Sequence, residues 1–122
     1  MKKKNYNLRI AIDSPAAAGA GTVAKSISKF YNLFYLDTGK IYRYIAHLSL
    51  KFPKKFNNKF LKTKIEKLKI NDLNNKKLLS NEIGIKASNI SKNKDIRKLV
   101  HQFQINFAYK PPKKYNGSCL DG

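Results

Sequence analysis

The sequence has few of the residue types that stabilise small secreted or membrane-embedded proteins. Cys119 is the single cysteine among 122 residues, which excludes a disulfide framework and a cysteine-rich metal site and suits a reducing cytoplasm. No apolar run approaches the roughly 18 residues of a membrane-spanning helix. Asp13 and Pro15 interrupt the apolar stretch that follows the lysines at positions 2–4, so no secretory leader is expected. The length allows at most one domain of ordinary size, and we expect a cytoplasmic protein.

Acidic residues are also scarce, because 7 Asp and Glu stand against 26 Lys and Arg, a formal charge of +19. Nucleic-acid binding is one interpretation of this excess. Only three of the basic residues are Arg, however, and base recognition and bidentate phosphate binding favour Arg. Lys, Asn and Ile are abundant together and have codons rich in A and T, so genome bias alone would give a similar composition. We favour the second interpretation and expect no specific nucleic-acid partner.

The first 50 residues alternate between strand-like and helix-like patterns. Residues 8–12 and 33–36 are short apolar runs that predict two buried strands, and the spacing of apolar residues predicts a helix after each. For the helix that begins at Thr22, the predicted packed face consists of Val23, Ile27, Phe30 and Tyr31, with Lys25, Ser28 and Lys29 turned outward. Strand, small-residue loop, helix and strand in this order are typical of a parallel α/β domain.

The pattern changes after residue 50. Residues 51–75 are dominated by Lys and Asn with thinly spread apolar residues, and predict an inserted, mobile or peripheral segment. Residues 78–90 predict one short helix. Asn93 is a suitable N-cap for the next helix, and residues 118–120 predict a third strand. Neither His47 nor His101 has acidic or cysteine neighbours at ligand spacing, so both are predicted to be structural.

The loop after the first strand consists almost entirely of small residues. Such a loop, followed by a helix N-terminus, can surround a phosphate with backbone N–H groups, and larger side chains would keep the backbone away from the anion. The phosphate-loop pattern is G-x-x-x-x-G-K-[ST], but here Ser14 replaces its first glycine and Ala20 its lysine. By pattern alone, a strand–helix turn that binds no ligand is about as good an interpretation as a phosphate-binding loop. The predicted ATP-binding residues are Ser14, Pro15, Ala16, Ala17, Ala18, Gly19, Ala20, Gly21 and Thr22.

A second motif follows the second strand. Asp37-Thr38-Gly39 lies where parallel sheets place their ligands, and Arg43, one helical turn later, can donate two hydrogen bonds to a phosphate. Residues 10–15, the small-residue loop and residues 36–43 together resemble the bacterial cytidylate kinases, whose sequences look like I-x-I-D-G-P-x-G-x-G-K-G-T followed by L-D-[ST]-G-x-x-Y-R. The resemblance continues through residues 81–88, 96–102 and 121–122, and leaves out the lysine-rich insert.

The resemblance implies a P-loop NTPase three-layer fold with a parallel sheet, incomplete here, and a shortened monophosphate-binding insert. Residues 1–50 would be the first part of the core, residues 51–92 the insert, and residues 93–122 a helix and third strand returning to the core. The implied activity is ATP-dependent phosphorylation of CMP or dCMP, with Mg²⁺ held mainly by the phosphates, no all-protein metal site and a monomeric chain. The residues implied for CMP are Asp37, Thr38, Gly39, Arg43 and Asp121. Asp13 either orients the loop or binds ligand or magnesium-bound water.

Two departures from the family pattern affect the predicted activity. The lysine position of the loop is Ala20, and losing such a charge typically costs roughly 10²- to 10³-fold in rate. Lys25 and Lys40 are candidate catalytic replacements, and we hypothesise Lys40. The chain also ends where family members continue for nearly as long again. We therefore expect a marginally stable N-terminal fragment that is inactive alone.

Two other classes of function remain open. A protein that lost catalysis with its loop lysine would bind ATP or CMP without turnover. A basic nucleic-acid-binding module is favoured by charge alone.

Overall fold

The computed structural model describes residues 8–12, 20–111 and 113–121, with the backbone alone for residues 20–22. The chain divides into two compact units. The first comprises residues 1–38 and 104–122 and is called the sheet unit below; the second comprises residues 39–103 and is called the helical unit.

The elements, in chain order, are β1 (Leu8–Ile12), α1 (Ala20–Tyr31), β2 (Phe34–Asp37), α2 (Thr38–Lys51), α3 (Asn58–Glu66), two 3₁₀ helices (Ile70–Asn74 and Lys76–Leu79), α4 (Asn81–Ile90), α5 (Lys94–Tyr109) and β3 (Gly117–Asp121).

The sheet unit contains a parallel three-stranded sheet in the order β1-β3-β2. Because side chains alternate along a strand, neighbouring residues of β3 face opposite sides. Cys119 is fully buried against Ala24 of α1, whereas the hydroxyl of Ser118 donates to the carbonyl of Ala108 at the end of α5. Helical segments therefore cover both faces of the central strand. The predicted α/β class, the parallel sheet and the third strand are confirmed.

The predicted packed face of α1 is wrong at three of its four positions, whereas Ile27 does pack against the core around Ala24 and Cys119. Val23 and Phe30 are 52% and 80% exposed, whereas Ala24 and Ser28 are buried. Small residues allow the helix to lie close to the sheet, and the Ser28 hydroxyl donates to the Ala24 carbonyl (2.7 Å), so its burial leaves no unpaired donor. Apolar spacing alone therefore misplaced the centre of the buried face, which is formed by Ala24, Ile27 and Ser28.

At two positions next to the ends of helices and strands, the backbone restricts which residue can be accommodated. Asn32, directly after α1, has a φ of 53°, and its side chain donates to the carbonyl of Lys114 (2.9 Å). Asparagine tolerates this left-handed conformation better than most residues, which suits it to ending a helix. Gly117 lies opposite Leu8 in the β1–β3 register, and a Cβ there would overlap the Leu8 carbonyl oxygen. Glycine therefore permits the pairing of β1 with β3.

The helical unit is built from short helices with side-chain caps. Asn93 accepts hydrogen bonds from the backbone N–H groups of Asp95 and Ile96, which confirms it as the predicted cap of α5. Residues 78–90 do not form one helix. Ser80 has an extended conformation and accepts from the N–H of Ile83, so it ends the second 3₁₀ helix and begins α4.

Residues 51–75 were predicted to be inserted, mobile or peripheral, and the burial of this segment contradicts only the last of these descriptions. Four side chains of this segment are buried, although the surrounding sequence is rich in Lys and Asn. They are Leu61, Ile65, Leu68 and Leu73. A few apolar residues at helical spacing are enough to give such a segment a packed face.

No helix in the described ranges is both long enough and apolar enough to cross a membrane.

Candidate functional site

The carboxyl ends of all three strands meet at one edge of the sheet. Ile12, Asp121 and Asp37 are the last residues of β1, β3 and β2, and the register places Asp121 beside each of the other two. Residues aligned across a parallel sheet point to the same face, so the sequence places two carboxylates side by side on neighbouring strands. This edge is where open α/β sheets bind ligands.

Asp121 is held by two hydrogen bonds from residues more than 80 positions away. The Tyr35 hydroxyl donates to its carboxylate Oδ2 (2.7 Å), and the Thr38 hydroxyl donates to its backbone carbonyl (2.9 Å). Thr38 is buried and is the first residue of α2. The position of Asp121 is thus fixed at both its side chain and its main chain.

Tyr35 is kept neutral by its surroundings. Burial raises its pKa well above the ordinary value of 10.0, and the hydrogen bond to Asp121 and the negative charge of Asp37 raise it further. A neutral phenol donates a hydrogen bond, whereas a phenolate would repel the two carboxylates. Tyr35 was not predicted as a site residue, and its separation of 86 residues from Asp121 gave no sequence signal for this contact.

The two candidate catalytic lysines lie in different units. Lys25 is exposed on α1, and its ammonium nitrogen is 5.9 Å from the centre of the Tyr35 ring. It therefore lies next to the residue that holds Asp121. Lys40 is partly buried in α2 and belongs to the helical unit.

Arg43 is hydrogen-bonded within the helical unit. Its Nη1 donates to the carbonyl of Leu78 (2.7 Å) and, more weakly, to that of Ser80 (3.4 Å). A Cβ added at Gly84 would lie 3.0 Å from its Nη2, so this glycine makes room for the guanidinium. Arg43 thus connects α2 to the segment that leads into α4.

A second arginine of this unit contacts a tyrosine. Burial raises the pKa of Tyr42, and the charge and hydrogen bond of Arg97 oppose that rise. This pair lies on α2 and α5, and nothing in the spacing of the two residues indicated their contact.

Most of the predicted ATP loop, Ser14 to Gly19, lies outside the described residues, as do Asp13 and Gly122. Ala20, Gly21 and Thr22 form the start of α1, two residues before the predicted beginning of that helix. Within the described ranges no three His, Cys, Asp or Glu side chains converge on a possible metal position.

The family model and the individual relatives that this chain matches all belong to one family. The family model described as cytidylate kinase matches residues 10–117. The cytidylate kinase of Bartonella tribocorum is 43% identical over 114 residues, which cover 93% of this chain and 51% of that protein. Those of a Bradyrhizobium strain and of Clostridioides difficile are 38% and 32% identical, over 52% and 56% of their lengths. The chain therefore spans about half the length of the curated relatives it matches.

Proposed function

The chain belongs to the cytidylate kinase family, and from that premise we propose that it takes part in transferring the γ-phosphoryl group of ATP to CMP or dCMP. The products would be ADP and CDP or dCDP. The observation that carries the proposal is the match over residues 10–117, which includes both nucleotide motifs. The parallel sheet, with Asp37 and Asp121 at its carboxyl edge, is that of a partial P-loop NTPase fold.

The proposed ATP site is the loop of residues 14–22, where the backbone and the N-terminus of α1 would surround the phosphates. The proposed monophosphate site comprises Asp37, Thr38, Gly39, Arg43 and Asp121. Thr38 would act by holding Asp121, because its hydroxyl already donates to the Asp121 carbonyl. Arg43 has five N–H donors, so its bonds to Leu78 and Ser80 leave further donors of the same guanidinium for a phosphate.

Asp37 and Asp121 are the described residues that suit Mg²⁺, because magnesium prefers oxygen ligands and usually keeps several waters. When bound, the ion would neutralise phosphate charge during transfer. The two carboxylates would accept hydrogen bonds from its waters.

Phosphoryl transfer depends on positive charge around the moving group, and Ala20 removes the charge that the loop usually supplies. The sequence favoured Lys40 as the replacement. The contact of Lys25 with Tyr35, which in turn holds Asp121, supports Lys25 instead. Turnover of Lys25→Ala and Lys40→Ala variants distinguishes the two, since only the residue that replaces the loop lysine should lower kcat when removed.

The test of the proposal is CMP binding by the 122-residue chain, measured by calorimetry, together with an ADP-release assay with CMP, dCMP, UMP and AMP as acceptors that measures whatever turnover the chain has alone. The Ala20→Lys variant restores the family lysine and, where turnover is measurable, is expected to raise kcat by up to roughly 10²- to 10³-fold, and by much less if Lys25 already supplies the missing charge. Ser26→Lys adds the same charge at an exposed position of α1 and is expected to leave kcat unchanged. Failure of CMP to bind, with or without the restored lysine, would contradict the proposal.

Ala20 also favours a second function, nucleotide binding without turnover. Calorimetry separates the two: CMP binding without ADP release would indicate a binding protein on a kinase scaffold.

A further inference from the structure

The helical unit carries three adjoining depressions on its surface. The central one has a volume of about 480 Å³ and lies between the end of α2, α3 and the 3₁₀ segment. It shares Lys64 with a depression of about 360 Å³ on α3, and His47 and Lys51 with one of about 430 Å³ that extends to Lys77. Because neighbouring depressions share side chains, the three adjoin, and together they are called the lysine groove below.

Basic side chains lie along the whole lysine groove. Lys59 and Lys64 line one end, Lys51 the middle, and Lys77 the other end. Two carboxylates also line the groove: Asp72 in the middle, where it accepts a hydrogen bond from the backbone N–H of Lys69 (2.9 Å), and Glu82 at the Lys77 end. The helical unit as a whole has 17 of the 26 Lys and Arg residues and 4 of the 7 Asp and Glu residues. With four lysines and two carboxylates along it, the groove is therefore net basic, most clearly at its Lys59 and Lys64 end.

Two of these lysines are placed over aromatic rings. The ammonium nitrogens of Lys51 and Lys64 lie 5.4 and 5.7 Å from the centre of the Phe52 ring, and that of Lys64 lies 5.5 Å from the Phe60 ring. The two rings are themselves 5.7 Å apart and partly exposed. Codon bias explains the number of lysines, but it does not explain why they are paired with rings along a groove.

The pKa of His47 reflects the positive charges that surround it in the groove. Its pKa is lowered by partial burial and by the positive charges of Lys51 and Lys77. The imidazole is consequently neutral at pH 7 and lines the groove as a hydrogen-bonding ring.

We propose that the lysine groove binds single-stranded nucleic acid without sequence preference, with Lys64, Lys51 and Lys77 contacting successive phosphates and Phe52 and Phe60 stacking against bases. A row of cations with interleaved aromatic rings is how proteins bind single strands irrespective of sequence. A polymer suits the groove better than a mononucleotide, because the charges are spread over three depressions and do not converge in one. This function is independent of phosphoryl transfer.

The test is fluorescence anisotropy of a labelled oligothymidylate of about 12 nucleotides, titrated with the 122-residue chain over a range of salt concentrations. The groove variant is Lys51→Ala/Lys64→Ala/Lys77→Ala. Each phosphate contact contributes about 0.7 to the salt slope for a single strand, so this variant is expected to lower the slope by about 2 and the affinity at 0.1 M salt by about 100-fold.

The matched control removes the same charge outside the groove. Lys62→Ala/Lys67→Ala/Lys86→Ala changes three exposed lysines of the same unit, and we expect a loss of about threefold or less because exposed charges are screened by salt. Phe52→Leu keeps apolar packing but removes the stacking ring, and is expected to weaken binding by roughly fivefold or more.

Several outcomes would overturn the proposal. Equal losses in the two triple variants, or unchanged affinity in Phe52→Leu, would mean attraction by net charge alone. Equal affinity for a duplex of the same length would exclude recognition of single strands. Photocrosslinking of a bromouridine oligonucleotide to the unmodified chain gives an independent result, with adducts expected on Phe52 or Phe60. Displacement of the oligonucleotide by CMP would instead place the polymer in the monophosphate site.

Discussion

The two units of this chain are stabilised in different ways. In the sheet unit, side-chain hydrogen bonds join distant residues: Tyr35 to Asp121 at the site, and Asn32 to Lys114 at the opposite end of the strands. In the helical unit, Asn57, Asn75, Ser80 and Asn93 each cap a helix that begins at the next residue. The sheet unit therefore depends on assembly of the whole unit, whereas much of the helical unit is specified locally.

Charge and sequence motifs are also distributed differently between the units. The sheet unit has 9 Lys and Arg residues and includes the small-residue loop and both strand-end carboxylates, whereas the helical unit has 17 Lys and Arg residues and the lysine groove. The nucleotide motifs thus lie mainly where the basic excess is smaller. The two features need separate explanations, and one function does not have to account for both.

A matched pair of glycine substitutions gives the largest expected contrast between the units. In Gly117→Ala the new Cβ would meet the backbone of Leu8, which cannot move without breaking the β1–β3 pairing. We expect a loss of about 1–3 kcal/mol in the free energy of unfolding, measured by urea denaturation.

Gly84→Ala is the counterpart in the helical unit. Its Cβ would meet only the end of the flexible Arg43 side chain, and alanine favours the helix by about 1 kcal/mol. These effects oppose each other, so we expect a net change of about 0.5 kcal/mol or less. Similar losses in both variants would contradict the view that the sheet unit is constrained by backbone contacts and the helical unit by side chains.

Arg43→Met tests the contact between α2 and the start of α4. The substitution keeps the apolar stem but removes the donors to the carbonyls of Leu78 and Ser80. A charged hydrogen bond is worth about 1.5–3 kcal/mol when buried; because Arg43 is partly exposed, we expect a loss of about 1–2 kcal/mol. Lys98→Met, which removes an exposed charge on α5, is the control. Equal destabilisation by the two variants would show that the carbonyl contacts contribute nothing.

Local patterns predicted more of this fold than of its site. The α/β class, all three strands and the Asn93 cap follow from features within a few residues of each other. Ala24 and Ser28 were missed on the buried face of α1 because they are small and pack closely, a property that hydrophobic periodicity does not detect. Tyr35 was missed because its role depends on a partner 86 residues away, which only the strand order brings close.

Asn93→Ala measures how strongly the helical unit depends on a local cap. The Asn93 side chain accepts from the N–H groups of Asp95 and Ile96, and losing a cap of this kind costs about 1 kcal/mol. Asn89→Ala, at an exposed position within α4, serves as the control and should change stability by less. Thermal unfolding followed by circular dichroism gives both values. A loss no larger than that of the control would mean that packing, and not capping, defines the start of α5.

Tyr35→Phe is expected to have an effect on stability that depends on pH. Tyr35→Phe removes the hydrogen bond to Asp121, which should cost about 1 kcal/mol at neutral pH. The pKa of Tyr35 is raised in the folded state, so the unfolded chain loses the phenolic proton first as pH rises. The stabilising contribution is therefore fully present below the unfolded pKa of 10.0 and is lost as pH rises through the folded pKa.

The stability advantage of the unmodified chain over Tyr35→Phe should accordingly stay constant up to about pH 10 and then shrink. Lysine titration affects both chains equally and cancels in this difference. Tyr31→Phe, which removes an exposed phenol on α1, is the matched control. A difference that stayed constant above pH 10, measured by urea denaturation at each pH, would mean that Tyr35 contributes by packing alone. Asp121 would then be positioned by Thr38, and the sheet unit would depend on fewer long-range hydrogen bonds than its geometry indicates.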